Sequence, residues 1–389
     1  MKRRKTIAVK VGNTGIGGDN PIRVQSMTNT DTNDIESSVN QAIKIINAGG
    51  ELVRFTVQGI REAKSLKLIK KELLRRGYNT PLVADIHFNP AAAEIAAQYV
   101  EKVRINPGNF VKSIKKSTNK NQSSINYTDE EFNQELLLLR EKFVHFLDIC
   151  KKHGTAVRIG VNHGSLSERI MNRYGDTPEG MVESCLELMQ ICREENFDKV
   201  IISLKASNTV LMIEAVKLLV KKMDEEGFYF PLHLGVTEAG DGEDGRIKSA
   251  IGIGALLADG IGDTIRVSLS ENPENEIPAA FRILQATRSR ITKTEYIACP
   301  SCGRTLFDLP ETLQKVKQAT AHLVGLKIAI MGCIVNGIGE MADADYGYVG
   351  AGRGKISLYK GKTCVEKNIP EKYAVSKLLE LIDKDSVEY

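Results

Sequence analysis

The sequence predicts an α/β chain in which a (β/α)₈ TIM barrel is followed by a small α/β domain. Three observations support this prediction: a regular alternation of apolar runs with helical patterns, cationic residues where those runs end, and cysteine motifs beyond the last of them. We expect the barrel to occupy residues 1–286 and the smaller domain residues 291–389.

The alternation predicts eight strands, each followed by a helix. Parallel neighbours need helical crossovers, so eight such units in succession predict a closed barrel. The predicted strands are 22–27, 52–57, 82–88, 103–105, 156–161, 200–204, 232–236 and 264–269. The predicted helices are 37–48, 60–77, 90–100, 131–153, 178–195, 208–226, 245–258 and 277–286.

The remaining segments frame the barrel. A first strand, 5–11, precedes the glycine-rich segment 12–18, which no βαβ unit surrounds, so a hairpin turn is favoured over a dinucleotide loop. The polar and basic segment 112–128 predicts a surface loop that ends in a helix-capping box. The polar segment 287–294 is the expected boundary, and the second domain is expected to end in the helix 371–383.

Composition narrows the class of protein. With 42% hydrophobic and 26% charged residues, the chain is typical of soluble globular proteins. It has no apolar run long enough to cross a membrane, and its basic start lacks the core of a signal peptide. The odd number of cysteines favours a reducing cytoplasm, and a net charge of +4 is too small to indicate nucleic-acid binding.

The predicted strand ends carry an excess of positive charge. Five cationic residues are expected at one barrel mouth, against two carboxylates: Arg54, Arg104, Arg158, Lys205 and Arg266, with Asp85 and Glu238. Any one of these cations could pair with a surface acid, but five buried together require an anion. Guanidinium groups match phosphate oxygens, so the expected ligand is a polyanion, most simply a diphosphate.

Three side chains at these strand ends, Glu238 and two histidines, are candidates for chemistry. Glu238 is the candidate acid or base, and His87 and His163 are candidate hydrogen-bond donors. We rank the two histidines below Glu238, because a lone histidine at such a position is more often structural.

The second domain contains a Cys-x-x-Cys pair, Cys299 and Cys302, and a third cysteine, Cys333, in a glycine-punctuated loop after an apolar run. A structural zinc site would need His322 or Cys364 as its fourth ligand, and a redox-active pair would leave Cys333 unexplained. An iron–sulfur cluster with three thiolates and one other ligand accounts for all three, and spacing alone leaves these interpretations open. The helical patterns predict three buried thiols: Cys150, Cys185 and Cys192.

Several motifs together resemble the IspG (GcpE) family of 4-hydroxy-3-methylbut-2-en-1-yl diphosphate synthases over essentially the whole chain. They are Ala-Asp-Ile-His at 84–87, Val-Arg-Ile-Asn-Pro-Gly-Asn at 103–109, Asn-His-Gly-Ser-Leu at 162–166, Gly-Val-Thr-Glu-Ala-Gly at 235–240, Gly-Asp-Thr-Ile-Arg-Val-Ser at 262–268, Cys-Pro-Ser-Cys at 299–302 and Gly-Cys-Ile-Val-Asn-Gly-Ile-Gly-Glu at 332–340. The chain is similar to the shorter two-domain form, because residues 277–290 lead directly to Cys299.

The resemblance implies a reaction and a set of site residues. The reaction is the reductive ring opening and dehydration of 2-C-methyl-D-erythritol 2,4-cyclodiphosphate in the non-mevalonate isoprenoid pathway. The implied ligands of a [4Fe–4S] cluster are Cys299, Cys302, Cys333 and Glu340. The implied substrate contacts are Arg54, Arg104, Arg158, Asn162, Lys205, Arg266 and Ser268, with Glu238 as the catalytic acid. Their position at the strand ends adds Asp85 and His87 to the expected substrate-binding residues.

The resemblance also implies a homodimer whose active site is completed in trans, and ferredoxin or flavodoxin as electron donor. Ile338 stands where the family normally has proline, which predicts a looser loop before Glu340. Two other functions remain as alternatives: a phosphate-binding TIM-barrel transferase with a structural zinc domain, and an iron–sulfur sensor or scaffold.

Overall fold

The computed structural model describes residues 2–86, 88–111 and 127–387, without the side chains of residues 336, 338, 386 and 387. The predicted site residue His87, most of the predicted loop 112–128 and the side chain at the family's proline position, Ile338, therefore lie outside the described part. The chain divides into two compact units, Met1–Arg290 and Ile291–Tyr389. Within the described residues, no helix combines the length and apolarity needed to cross a membrane.

The first unit contains an eight-stranded parallel sheet with the order β8-β7-β6-β5-β4-β3-β10-β9. Its strands are β3 (Arg23–Met27), β4 (Leu52–Val57), β5 (Leu82–Ile86), β6 (Lys102–Ile105), β7 (Ala156–Asn162), β8 (Val200–Lys205), β9 (His233–Leu234) and β10 (Thr264–Ile265). A parallel bridge between Ile202 and Leu232 links the two ends of the sheet. The predicted (β/α)₈ barrel is thus confirmed.

Helices cover the outside of this sheet. They are α1 (Ile35–Asn47), α2 (Ile60–Arg75), α3 (Pro90–Ala96), α4 (Pro107–Phe110), α5 (Asp129–His153), α6 (Glu168–Tyr174), α7 (Pro178–Glu194), α8 (Thr209–Glu226), α9 (Gly242–Ala258) and α10 (Glu276–Ala286), with a 3₁₀ turn at Pro273–Asn275. The predicted capping box is present at α5, where Thr128 and Glu131 exchange side-chain and backbone hydrogen bonds. Gly154 ends the same helix in the left-handed conformation that glycine tolerates best.

Strands β9 and β10 are two residues long, shorter than predicted. The regular hydrogen-bond ladder between β9 and β10 ends just before Gly235. Gly235 lies close to the segment after β10, since a Cβ on Gly235 would lie 2.6 Å from the carbonyl oxygen of Arg266. The polar residues after both strands therefore leave the regular sheet just where they reach the barrel mouth.

A hairpin closes the amino-terminal end of the barrel. Its strands β1 (Val9–Val11) and β2 (Thr14–Ile16) are antiparallel, so β2 lies inside the segment that the glycines indicated as a turn. The hairpin contributes Val9, Val11 and Ile16 to a fully apolar cluster with side chains from four barrel strands: Leu52, Val83, Ala156 and Ile201. We call this cluster the barrel floor.

The second unit is a five-stranded sheet with the order β11-β12-β13-β14-β15 and three helices. Its elements are β11 (Glu295–Ala298), α11 (Leu309–Thr320), β12 (Lys327–Met331), α12 (Ile334–Glu340), β13 (Tyr346–Gly352), β14 (Lys355–Lys360), β15 (Thr363–Pro370) and α13 (Glu371–Val387). The first three strands are parallel and the last two antiparallel to their neighbours. Strand and helix side chains such as Ile330, Tyr348 and Leu378 form its core.

Two local predictions in this unit were wrong. The glycine-punctuated segment after Cys333 is helix α12 rather than a loop, because Gly337 lets the helix lie against the sheet: a Cβ there would be 3.3 Å from Met331 and 3.4 Å from Val349. Cys364 lies in β15 and is half-buried beside Tyr359, whereas its lysine neighbours predicted a solvated turn.

Candidate functional site

The carboxyl ends of the barrel strands surround a cavity of about 610 Å³, which we call the mouth cavity. All five predicted cationic residues line it, although each comes from a different strand or strand end. The lining residues are Met27, Arg54, Thr56, Gln58, Asp85, Phe88, Arg104, Arg158, Asn162, Lys205, Thr237, Arg266 and Ser268. The predicted residues Asp85, Asn162 and Ser268 are therefore placed with the cations.

Asp85 lies between two of the cations. Its Oδ1 is 3.2 Å from Nη1 of Arg104, and its Oδ2 is 3.6 Å from Nη2 of Arg54. Asp85 is only 3% exposed, so its carboxylate partly neutralises two guanidinium groups that are themselves largely buried. In this arrangement Asp85 orients Arg54 and Arg104 toward the mouth cavity.

Arg266 is held by an acid that the sequence analysis missed. Glu276, the first residue of α10, accepts two hydrogen bonds from Arg266, at 2.9 and 3.2 Å, and one from the Ser26 hydroxyl at 2.7 Å. Glu276 is 2% exposed and comes 11 residues after β10, the last barrel strand, which ends at Ile265. An acid beginning the helix after a strand-end arginine was the signal available, but helix starts commonly carry acids for capping.

Arg158 and Lys205 have less compensation. Arg158 is 1% exposed and donates to the Ser203 hydroxyl at 3.2 Å. Burial, reinforced by the neighbouring arginines, holds the pKa of Arg158 and that of Lys205 well below their usual values. The same causes lower the pKa of Arg54 to about 10 despite the attraction of Asp85. A bound anion in the mouth cavity would therefore stabilise the folded protein by offsetting the repulsion among these buried cations.

Two glycines make room for these long side chains. A Cβ on Gly160 would lie 2.6 Å from Nε of Arg104, whose Nη2 donates to the Gly160 carbonyl at 2.8 Å. A Cβ on Gly235 would lie 2.7 Å from Nζ of Lys205. Both glycines therefore allow a cation to lie directly on the strand backbone.

Glu238, the predicted acid, is exposed and stands outside the set of described residues that line the mouth cavity. Its neighbour Thr237 does line it. Glu238 has a φ of 53°, and Phe88, in another mouth loop, has a φ of 55°. Left-handed backbone at a non-glycine residue is strained and is concentrated at functional sites.

His163 is outside the described lining of the mouth cavity. Its Nε2 is 3.2 Å from the backbone carbonyl of Asp176 and 3.4 Å from the side-chain carboxylate of the same residue. This carboxylate also accepts a hydrogen bond from the Gly164 N–H. This pairing gives His163 a structural partner in the loop after β7.

The predicted site residues leave out several lining residues: Met27, Thr56, Gln58, Phe88 and Thr237. Thr56 and Thr237 stand at predicted strand ends, where the period of two places Thr56 on the same face as Arg54, but the sequence analysis assigned them no role. Met27 was hidden in an apolar strand pattern, and its sulfur accepts from Nε of Arg54 at 2.9 Å.

In the second unit, Cys299, Cys302, Cys333 and Glu340 all line one cavity of about 120 Å³, the cysteine cavity. Cys299 follows β11, Cys333 caps α12 and Glu340 ends that helix. The N–H of Gly332 donates to Sγ of Cys299 at 3.2 Å, a hydrogen bond typical of a thiolate ligand's surroundings.

The donor set of the cysteine cavity suits a metal centre. Three sulfurs and a carboxylate line one space, and such groups are ligands of both iron–sulfur clusters and zinc. In the described ranges, no three His, Cys, Asp or Glu side chains are arranged to hold one metal ion. Hydrogen bonds from the backbone and side chain of Arg304 lower the pKa of Cys302, which favours the thiolate that a metal needs. The alternative zinc ligands His322 and Cys364 are outside the described lining of this cavity.

Comparison with known proteins covers both units. The sequence profile described as "GcpE TIM-barrel domain" matches residues 6–281, and that described as "GcpE protein C-terminal domain" matches residues 295–384. Among solved structures, dihydropteroate synthase from Stenotrophomonas maltophilia covers 73% of this chain and 99% of itself, at 15% identity and a TM-score of 0.47, a likeness too distant to bear on function.

Two curated relatives are named 4-hydroxy-3-methylbut-2-en-1-yl diphosphate synthase. The one from a Synechococcus strain, whose name adds ferredoxin, is 53% identical over 388 residues, covering 100% of this chain and 95% of the relative. The one from Parabacteroides distasonis, whose name adds flavodoxin, is 42% identical over 604 positions, covering 98% of each. Those 604 positions exceed the 389 residues of this chain by 215, so the second relative contains a large insertion.

Proposed function

The chain belongs to the GcpE family, and we propose that it converts 2-C-methyl-D-erythritol 2,4-cyclodiphosphate to 4-hydroxy-3-methylbut-2-en-1-yl diphosphate by reductive ring opening and dehydration. The observation that carries this proposal is the mouth cavity, where five cationic side chains face one space of about 610 Å³. A cyclic diphosphate carries the negative charge that would neutralise these five cations.

The cations would bind and orient the diphosphate. Arg54 and Arg104, aligned by Asp85, and Arg266, aligned by Glu276, present guanidinium groups in fixed directions. Pre-oriented donors in a water-poor cavity stabilise charge that develops on the diphosphate as the ring opens. Asn162 and Ser268 add neutral donors at the rim of the same cavity.

We propose Cys299, Cys302, Cys333 and Glu340 as the residues that hold a [4Fe–4S] cluster. When bound, the cluster would supply electrons singly, together with a Lewis-acidic iron. The residues of the chain itself fix the thiolates: the Gly332 N–H at Cys299 and Arg304 at Cys302 both stabilise negative sulfur.

Glu238 is the proposed acid that delivers a proton to the departing hydroxyl group, which leaves as water. Its support is its position next to Thr237 of the mouth cavity and its strained left-handed backbone.

We further propose a cytoplasmic homodimer in which the active site is completed in trans, with ferredoxin or flavodoxin as donor. The seven free cysteines suit a reducing compartment, and the names of the relatives mention both carriers. A dilution series in the analytical ultracentrifuge that shows a fully active monomer would contradict assembly in trans.

The first experiment is metal and sulfide analysis with a visible spectrum on anaerobically purified full-length protein. The proposal expects about four irons per chain and a broad absorption band that bleaches on reduction. Turnover of the cyclodiphosphate with a chemical reductant should follow. A colourless protein that carries one zinc after anaerobic reconstitution would instead favour the phosphate-binding transferase.

A further inference from the structure

Lys102 is a buried cation for which the proposed reaction has no use. It lies on β6 two residues before Arg104, so both side chains point into the barrel. It is 0% exposed, and its Nζ has no hydrogen-bond partner among the described residues. It does not belong to the described lining of the mouth cavity, so it lies deeper in the barrel.

The interior around Lys102 is polar but poorly satisfied. In the described part of the chain, two groups that interact electrostatically with Lys102 also have buried atoms without partners: Nε2 of His233 and Nε of Arg158. Val83 and Ala156 of the apolar barrel floor flank Lys102 in the sheet, and their side chains provide no hydrogen bonds. Buried polar atoms of this kind are normally satisfied by water or a bound ion. An added charge nearby should therefore have a strong electrostatic effect on the groups around Lys102.

The charges around Lys102 are mostly of its own sign. Its strongest charged neighbours are Arg158 on β7 and Arg54 on β4, and it acts in turn on His233 of β9. The acid Asp85 on β5 is already engaged by Arg54 and Arg104. The other charged groups around this interior are Lys205 on β8, Arg266 after β10 and Glu276, which pairs with Arg266.

These neighbours set the proton balance of the amine. Burial first, and then repulsion by Arg158 and Arg54, hold the pKa of Lys102 well below its usual value. A diphosphate at the mouth would neutralise both arginines and add negative charge above the amine. The pKa of Lys102 would then rise, and the amine would take a proton from the medium.

We infer that Lys102 supports anion binding from a distance: it gains one proton when a diphosphate group occupies the mouth cavity, and the added positive charge strengthens binding without contact with the anion. The inference rests on the proposed function only in requiring that the mouth binds a diphosphate. It needs neither a cluster nor turnover.

The test is isothermal titration calorimetry of inorganic diphosphate into the full-length protein, in buffers of different ionisation enthalpy near pH 8. The slope of heat against ionisation enthalpy gives the number of protons taken up. We expect Lys102→Met to take up about one proton fewer than the wild type and to bind about tenfold more weakly. The matched control is Lys221→Met, an exposed lysine on α8, which should leave both values unchanged.

Equal proton uptake by the wild type and Lys102→Met would overturn the inference. Methionine has a similar length and leaves no buried amine unpaired, so this variant should fold, and Lys102→Gln provides a second test. If neither folds, carbon NMR of ε-labelled lysine in the wild type decides: a buried signal must move from the neutral to the charged position on adding diphosphate, and its failure to move refutes the proposal. Diphosphate binding with this proton signature, in a protein that does not reduce the cyclodiphosphate, would overturn the proposed function alone.

Discussion

Replacing Asp85 with asparagine removes the carboxylate between Arg54 and Arg104 while keeping its shape. The atoms involved are 3.2 and 3.6 Å apart, and all three side chains are at most 10% exposed. Removing one partner of a buried ion pair costs about 3–5 kcal/mol, because the remaining charge stays desolvated. For a unit of this size, that loss corresponds to a fall in melting temperature on the order of 10 °C.

The charge balance also predicts the effect of ligand. Without the Asp85 carboxylate, the mouth cavity is more positive, so an anion stabilises the variant more than the wild type. We therefore expect inorganic diphosphate to raise the melting temperature of Asp85→Asn by more than it raises that of the wild type. Circular dichroism at 222 nm, with and without diphosphate, measures both values.

The matched control is Asp259→Asn, because Asp259 pairs with Lys217 at 2.7 Å and the two side chains are 48% and 51% exposed. An exposed pair of this kind contributes about 0–1 kcal/mol, so the control should melt close to the wild type. An Asp85→Asn variant as stable as the wild type without anion would refute the assignment of Asp85 as the charge that holds the two arginines.

Two further predictions concern the two cavities. Gly160→Ala places a Cβ 2.6 Å from Nε of Arg104, so the guanidinium must move, and kcat/KM for the cyclodiphosphate should fall by about 10- to 100-fold. Its control is Gly254→Ala on α9, where the nearest atom to an added Cβ is 3.7 Å away; an equal loss in both variants would contradict the argument. Cys302→Ser should lower the iron content and visible absorbance of anaerobically purified protein, whereas Cys364→Ser should not. Iron loss from the Cys364 variant alone would reverse the ligand assignment.

The barrel could be predicted from the sequence because two independent patterns agree: the spacing of the apolar runs and the polar residues at their ends. Buried parallel strands give continuous apolar runs, and the polar residue that ends each run marks the catalytic edge. Arg104 and Arg158 were recognisable because each lies between two apolar residues of a strand, and a charge at such a position has few structural explanations.

Other features depend on contacts that no local pattern encodes. Glu276 belongs to a helix, and its pairing with Arg266 depends on where that helix packs. Helix α12 was predicted as a loop because glycines disfavour helices, whereas the close approach of Gly337 to Met331 makes a glycine useful there. The depth of Lys102 was equally hidden, since a lysine at a strand start normally reaches solvent.

The barrel floor determines by which route substrate and product can reach and leave the mouth cavity. Val9, Val11 and Ile16 seal the amino-terminal end with side chains at most 2% exposed, so the barrel is a blind well rather than a tunnel. Substrate and product must therefore pass through the same opening, the mouth of the barrel, and the product has to leave before the next substrate can enter. Any element that covers this opening during the reaction would control both substrate entry and product release.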